Sequence, residues 1–191
     1  GDETAKWRAL VAKTGIKPSR LAMGTGCQSG KEVRDLGVEG AVRLLRHGYD
    51  QGLRWWDAAD MYGTHHQIKA ALKEIKQRDR VVVNTKIVPT RTMEDKTIKT
   101  AAEIKADIER FRKELDTDYI DILLLHCMDD GNWPEKMKGA MDVLSEAKQK
   151  GIVRAIGFSC HGLAPLKAGV DVPWVDVVLA RFNTYAAVMD V

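Results

Sequence analysis

No block of like charge, no long apolar run and no metal-type cysteine spacing interrupts this 191-residue sequence, and each absence removes a class of function. Lysine and arginine total 30 against 27 acidic residues, with the signs interspersed, so neither a nucleic-acid face nor a membrane face is expected. A run such as Ile122 to Leu125 is far below the roughly 18 apolar residues of a membrane span, and no hydrophobic signal segment precedes Trp7. The three cysteines, Cys27, Cys127 and Cys160, lack the close spacing of a zinc or redox centre. They read as reduced thiols, which makes a cytoplasmic protein the expectation. Because the chain opens on Gly1 rather than Met, export with a removed signal stays open as the alternative. No feature of the sequence speaks to an oligomeric state.

What is present is alternation. At 45% hydrophobic, residues 1–191 can bury one substantial core, and a single domain is expected. From Leu21 onward, short apolar runs alternate with longer amphipathic stretches, which is the pattern of βα units building a parallel sheet. Six strands are expected: Leu21 to Gly24, Leu53 to Asp57, Val81 to Lys86, Ile120 to His126, Ala155 to Ser159 and Val175 to Asn183. Between them lie helical spacings such as Ile68, Leu72 and Ile75, or Ile104, Ile108, Phe111 and Leu115. Ahead of the first strand, Trp7 to Val11 and Ile16 to Arg20 flank a Lys13-Thr14-Gly15 turn, read as a β-hairpin that plugs the N-terminal mouth of a barrel. A closed (β/α)8 TIM barrel needs eight strands and typically about 250 residues. The fold expected is therefore an α/β barrel of that type, truncated after about six βα units.

The strands end in chemistry. Trp55-Trp56 leads to Asp57, with Tyr62 following; the run from Val81 leads to Lys86; Ile122 to Leu125 leads to His126. In a parallel barrel the C-terminal strand ends meet on one face, so carboxylate, phenol, ammonium and imidazole should assemble there. A lysine ending a valine-rich strand needs a countercharge, and Asp57 can supply it. A cation beside Tyr62 should stabilise the tyrosinate and lower a pKa that is otherwise about 10. His126 should point into the barrel top and donate to a substrate carbonyl. Taken singly, an Asp at a strand end is more often a helix cap, a rim lysine snorkels, and a histidine is satisfied in the core. It is the coincidence on three separate strand ends that favours catalysis. Ser159 and Asn183 end the fifth and sixth strands with groups suited to binding an amide or ribose.

These residues carry a resemblance. Gly52-Leu53-Arg54-Trp55-Trp56-Asp57-Ala58-Ala59-Asp60-Met61-Tyr62-Gly63 resembles the signature of the aldo-keto reductases, and Thr85-Lys86, Leu124-Leu125-His126 and Gly151 to Ser159 resemble that family's next landmarks in order. Trp7-Arg8-Ala9-Leu10 and Thr14 to Leu21 resemble its opening hairpin. The resemblance implies an eight-stranded β/α barrel that uses NADPH, or less often NADH, to reduce a small aldehyde or ketone without metal. It implies Tyr62 as proton donor, Lys86 and Asp57 as its tuning pair, and His126 as the group that orients the carbonyl. Gly24, Thr25, Gly26, Asp57, Ser159, Cys160 and Asn183 match positions that line the cofactor.

Two positions depart from the family pattern: Cys160 stands where Asn is usual after Ser159, and Leu179 where many members place Gln. Together with the expected truncation, they favour a second reading, a slow nucleotide-binding regulatory protein on the same barrel, and a third, an inactive fragment of a longer reductase. His65-His66 invites a metal, but neighbouring side chains on a helix start diverge and no third ligand sits at a recognised spacing, so none is expected. Asp129, Asp130 and Trp133 occupy the loop after the fourth strand, where substrate contact and a solvated acidic loop are equal readings. Trp55 and Trp56 should pack on opposite faces of their strand. Cys27 and Cys160 are expected near the cofactor end of the barrel.

Overall fold

Alternate residues of each strand face opposite sides of the sheet, and that parity builds the architecture. The computed structural model describes residues 13–180. Six strands form one parallel sheet in the order of the sequence: β1 Ala22–Gly24, β2 Trp55–Asp57, β3 Val82–Ile87, β4 Ile120–Met128, β5 Val153–Cys160 and β6 Val177–Ala180. Each pairs with the next. The helices are α1 Lys31–Asp35, α2 Gly37–Asp50, α3 His65–Ile75, α4 Ala101–Leu115, α5 Trp133–Lys136, α6 Lys138–Gln149 and α7 Leu163–Gly169. Strand order that follows sequence order, with helical crossovers on one side, curls the sheet into a half-barrel.

Two apolar clusters separate the faces. On the helix side, Trp56, Val83, Leu123, Leu125 and Ile156 pack with Ile68 and Leu72 of α3, Ile104, Ile108 and Phe111 of α4, and Leu144 of α6. On the concave side, Val82, Ile122, Leu124, Ala155 and Val177 pack with Ile16, Trp55 and Leu179. Trp55 and Trp56 thus lie on opposite faces, as the pleat requires. The helices carry recognisable ends. Thr100 caps α4, its hydroxyl accepting from Glu103 N at 3.3 Å while the Glu103 carboxylate accepts from Thr100 N at 2.7 Å, a reciprocal box of a kind that fixes a helix start.

Strand limits moved by a few residues. β4 runs past His126 to Met128 because the ladder to β5 resumes after a bulge between Leu125 and Met128. The first arm of the expected hairpin, together with Asn183 and the end of the sixth strand, lies outside the described residues. Residues 15–19 carry no regular element, yet Ile16 is buried in the concave cluster and fills the lower mouth of the half-barrel as a plug should. Among the described residues, no helix is long and apolar enough to cross a membrane.

Candidate active site

Alternation that puts Trp55, Val82, Ile122, Ala155 and Val177 on the concave face also puts Asp57, Asn84, Lys86, His126, Ser159 and Leu179 there, two or four residues further along each strand. The lower layer of that face is hydrocarbon and the upper layer is polar. Tyr62 reaches the same place from a 3₁₀ turn, Asp60–Tyr62, immediately after β2. A cavity of about 340 Å³ opens over this layer, with Tyr62, Lys86, His126, Ser159 and Leu179 among the residues that line it.

Lys86 is 1% exposed, and its ammonium is fully engaged. It donates to Asp57 Oδ1 at 2.7 Å, to Asp57 Oδ2 at 2.8 Å and to the Ala58 carbonyl at 2.8 Å. Asn84 Nδ2 donates to the same Asp57 carboxylate. A buried ion pair is tolerable when its remaining hydrogen-bonding capacity is used in this way. The Asp57 backbone carbonyl accepts from both the amide and the hydroxyl of Thr25, each at 2.9 Å, and Thr25 shares a further bond with the Thr64 hydroxyl at 2.8 Å. Thr25 therefore braces the end of β2, and Gly24 leads into it from β1.

Tyr62 lies between two groups. Lys86 Nζ is 4.9 Å from the centroid of its ring, and the His126 imidazole meets it edge-on with centroids 5.7 Å apart. The sequence led us to expect a phenol acidified by Lys86; the structure reverses that. Burial, and then the Asp57 carboxylate, push the Tyr62 pKa up to about 12. Lys86 lies over the ring face with its protons directed to Asp57 and Ala58, so its charge is compensated before it reaches the phenol oxygen. His126 is held neutral: burial, followed by Lys86 and His161, lowers its pKa to about 3. Its Nδ1 is buried without a hydrogen-bond partner among the described residues.

The turn that carries Tyr62 is gripped from outside. Arg34 of α1 donates to the Tyr62 carbonyl and, at 2.8 Å, to Ser29 O. Arg110 of α4 chelates Asp60 at 2.7 and 2.8 Å and also meets Asp107 and Glu114. Gly26 faces the phenol so closely that an added Cβ would lie 2.5 Å from ring carbons Cε2 and Cζ. The sequence pointed to none of Asn84, Arg34 and Arg110; the i,i+4 spacing of Arg110 and Glu114 is the one signal that could have paired two of these side chains.

The remaining expectations fall out unevenly. Ser159 lines the cavity, but its hydroxyl accepts from Cys127 N at 3.0 Å, bracing the bulge where Cys127 takes φ 56°. Cys160 is buried beside it, whereas Cys27 is exposed on the first loop. His65 is buried in α3 and shares hydrogen bonds with Glu114 at 2.7 Å and Thr85 at 2.8 Å; His66 is exposed. Trp133 belongs to the core, 1% exposed, with its indole N–H donated to Pro165 O at 3.0 Å. Asp129 and Asp130 pair with Lys96 and Lys136.

The aldo/keto reductase family model matches residues 20–183. The chain belongs to that family. Aldo-keto reductase YhdN of Bacillus subtilis is 30% identical over 187 residues, covering 94% of this chain and 55% of the relative. The D-threo-aldose 1-dehydrogenase of a Pseudomonas species is 27% identical over 161 residues, 72% of this chain and 49% of its own. The half-barrel superposes on the holo form of the aldo-keto reductase AKR11C1 from Bacillus halodurans with a TM-score of 0.69 at 22% identity, covering 88% of this chain and 55% of that one. This aldo-keto reductase chain thus spans about half the length of the curated relatives it matches.

Proposed function

We propose that the protein reduces an aldehyde or ketone to an alcohol with NADPH, or NADH, as hydride source and Tyr62 as general acid. What carries the reading is the convergence of Tyr62, Lys86 and His126, from the ends of three separate strands, on one cavity of about 340 Å³, with Asp57 paired to Lys86 beneath it. That space suits a nicotinamide ring: Leu179 and Ala180 offer it an apolar wall, and Ser159 and His161 offer polar groups for its amide. Gly24, Thr25 and Gly26 flank the approach from the first loop, and Cys160 and Asn183 complete the positions assigned to the cofactor. A nicotinamide bound there supplies a hydride to the carbonyl carbon.

The chain's own residues do the rest. His126, neutral at physiological pH, donates a hydrogen bond to the carbonyl oxygen and polarises it without titrating. Tyr62 then gives its phenol proton to that oxygen as negative charge develops. An alkoxide is a stronger base than a phenolate, so a donor whose pKa is about 12 transfers its proton downhill and is fully protonated beforehand. Lys86, held in place by Asp57, is the cation nearest the phenolate formed, and solvent then returns the proton. The overall reaction consumes one carbonyl, one reduced nicotinamide and one proton.

A slow nucleotide-binding role is the alternative, favoured by Cys160 and Leu179 at positions where amides would hold the cofactor more firmly. Titration of the protein with NADPH and NADH, followed by nicotinamide fluorescence, and then consumption of the bound cofactor with an aldehyde, separates the two. Binding with turnover supports reduction; binding without turnover supports the regulatory role; no binding of either nucleotide removes both.

A further inference from the structure

His65, which the sequence offered only as a poor metal ligand, opens α3 shortly after Tyr62 and is 3% exposed. Both of its ring nitrogens are used. Nδ1 meets a Glu114 carboxylate oxygen at 2.7 Å and Nε2 meets the Thr85 hydroxyl at 2.8 Å, while Phe111 of α4 packs edge-on against the imidazole with centroids 5.1 Å apart. A carboxylate only accepts, so Nδ1 carries the proton. Burial lowers the His65 pKa and keeps the ring neutral, so Nε2 accepts from Thr85. Carboxylate and hydroxyl together fix one tautomer and one ring orientation.

The bonds beyond Glu114 close a circuit. Its second oxygen accepts from Arg110 at 3.0 Å, and the same guanidinium nitrogen donates to Asp60 at 2.7 Å. Asp60 begins the 3₁₀ turn that ends in Tyr62, and Gly63 and Thr64 lead back to His65. Asp107, itself paired with Lys99 at 2.7 Å, accepts from the other arm of the guanidinium at 2.8 Å. The turn is thus the backbone side of a circuit whose other side is His65, Glu114 and Arg110. Thr85 precedes Lys86 on β3, and alternation sends the first side chain to the helix side and the second to the cavity. The Thr85 bond therefore fastens the circuit to the strand that carries the ammonium, whose Nζ lies 4.9 Å from the Tyr62 ring centroid.

We infer that His65 is a positioning residue, which clips the turn carrying Tyr62 to the strand carrying Lys86 and so sets the placement of phenol against ammonium. The consequence for catalysis presupposes the reductase reading; the geometry does not. Three observations carry it. The centre of the circuit is buried, with His65 and Thr85 almost free of solvent, so each bond lost there leaves a polar group unpaired. The circuit is closed, so removal of one member opens it. It also joins α3 to β3, to α4 and, through α4, to the Tyr62 turn, whereas a histidine that is merely satisfied in the core needs no bond to the turn's own clamp.

Tyrosine labelled with ¹³C at Cζ tests this, the Tyr62 signal among the four tyrosines being assigned by Tyr62→Phe. At a pH of about 10.5, above the ordinary tyrosine value of about 10 and below the value of about 12 to which burial pushes Tyr62, the wild-type signal should keep its neutral-pH position. His65→Leu and, independently, Glu114→Ala should move it toward tyrosinate, because a loosened turn lets water reach the phenol. Ile75→Val, which trims a buried side chain on the same helix away from the circuit, should lower thermal stability and leave the signal in place. Glu114→Ala, at a partly exposed position, keeps the test open should His65→Leu not fold. A folded variant of either kind whose signal stays with the wild type overturns the inference. In the active protein each variant should lower kcat about 10- to 100-fold, with NADPH affinity within about twofold of wild type. The double variant should fall no further than the worse single one, since one opening already breaks the circuit. Additive losses, or an unchanged kcat, overturn the positioning role. A Tyr62 signal that moves as expected in a protein that reduces no aldehyde contradicts the reductase reading and leaves the clip standing.

Discussion

Burial and a carboxylate neighbour keep the Tyr62 phenol protonated up to a pH of about 12, and this single residue sets the pH behaviour of the site. A group with a raised pKa is fully in its acid form well below that value, so the phenol proposed as proton donor keeps its proton throughout the physiological range. His126, with its pKa lowered to about 3, is likewise constant there. In ultraviolet titration of the free protein, Tyr62→Phe should remove a tyrosinate component near 12 and leave the components near the ordinary value of 10 untouched; loss of a component at or below 10 contradicts the assignment. Asp57, Lys86 and His126 were legible because each ends an apolar run whose parity fixes the side it faces. The direction of the Tyr62 shift was not legible, because a sequence shows which charges are near but not which already hold each other. Asn84 escaped notice because an amide inside a valine-rich strand has no pattern of its own.

The elements matter through the short turn that carries Tyr62. Gly26 on the first loop leaves the space the phenol fills, and Gly26→Ala should push the ring aside. A displacement of about 1 Å at a reacting group can cost on the order of 100-fold, so kcat should fall by about that factor while thermal stability stays close to wild type. Equal activity of the folded variant would sink the packing argument. On the other side, Arg110 ties α4 to the turn through Asp60. Burial alone would raise Asp107 and Glu114, but hydrogen bonds from Lys99 and Arg110 to the first, and from His65 and Arg110 to the second, outweigh it and leave both below their usual values. Carboxylates with depressed folded values stabilise the fold above their unfolded pKa and lose that contribution as pH falls through the folded one. Arg110→Ala should therefore cost about 1–2 kcal/mol near neutral pH, discounted for its partial exposure, with the gap closing in acid. Denaturant melts of both proteins across pH 3 to 7 check it, and a gap that widens in acid refutes it. Helix α4 was legible from its period, whereas its Thr100–Glu103 box came from the structure. The excursion between β3 and α4 was not legible, since its two arms meet at one bridge, Thr90 to Ile98, that no alternation announces.

At the scale of the molecule, one periodicity does two jobs. Successive strands place apolar residues low on the concave face and ionisable ones high on the same face, so the packing that closes the half-barrel also assembles the site. That is why the order of six strands and the meeting of Asp57, Tyr62, Lys86 and His126 could be read from the sequence, while the limits of β4 and the role of Ser159 depended on a bulge that only the β4–β5 ladder reveals. The claim that the assembled strand ends perform proton-coupled hydride transfer has a direct measurement: deuterium passed from C4-deuterated NADPH to the carbonyl carbon of 4-methoxybenzaldehyde, compared between the wild-type protein and Tyr62→Phe. The account predicts monodeuterated alcohol from the wild type and, since a positioned general acid typically contributes about 10²–10⁴-fold, a rate lower by at least that lower bound in the variant at unchanged NADPH affinity. Deuterium transfer by Tyr62→Phe at the wild-type rate would contradict it.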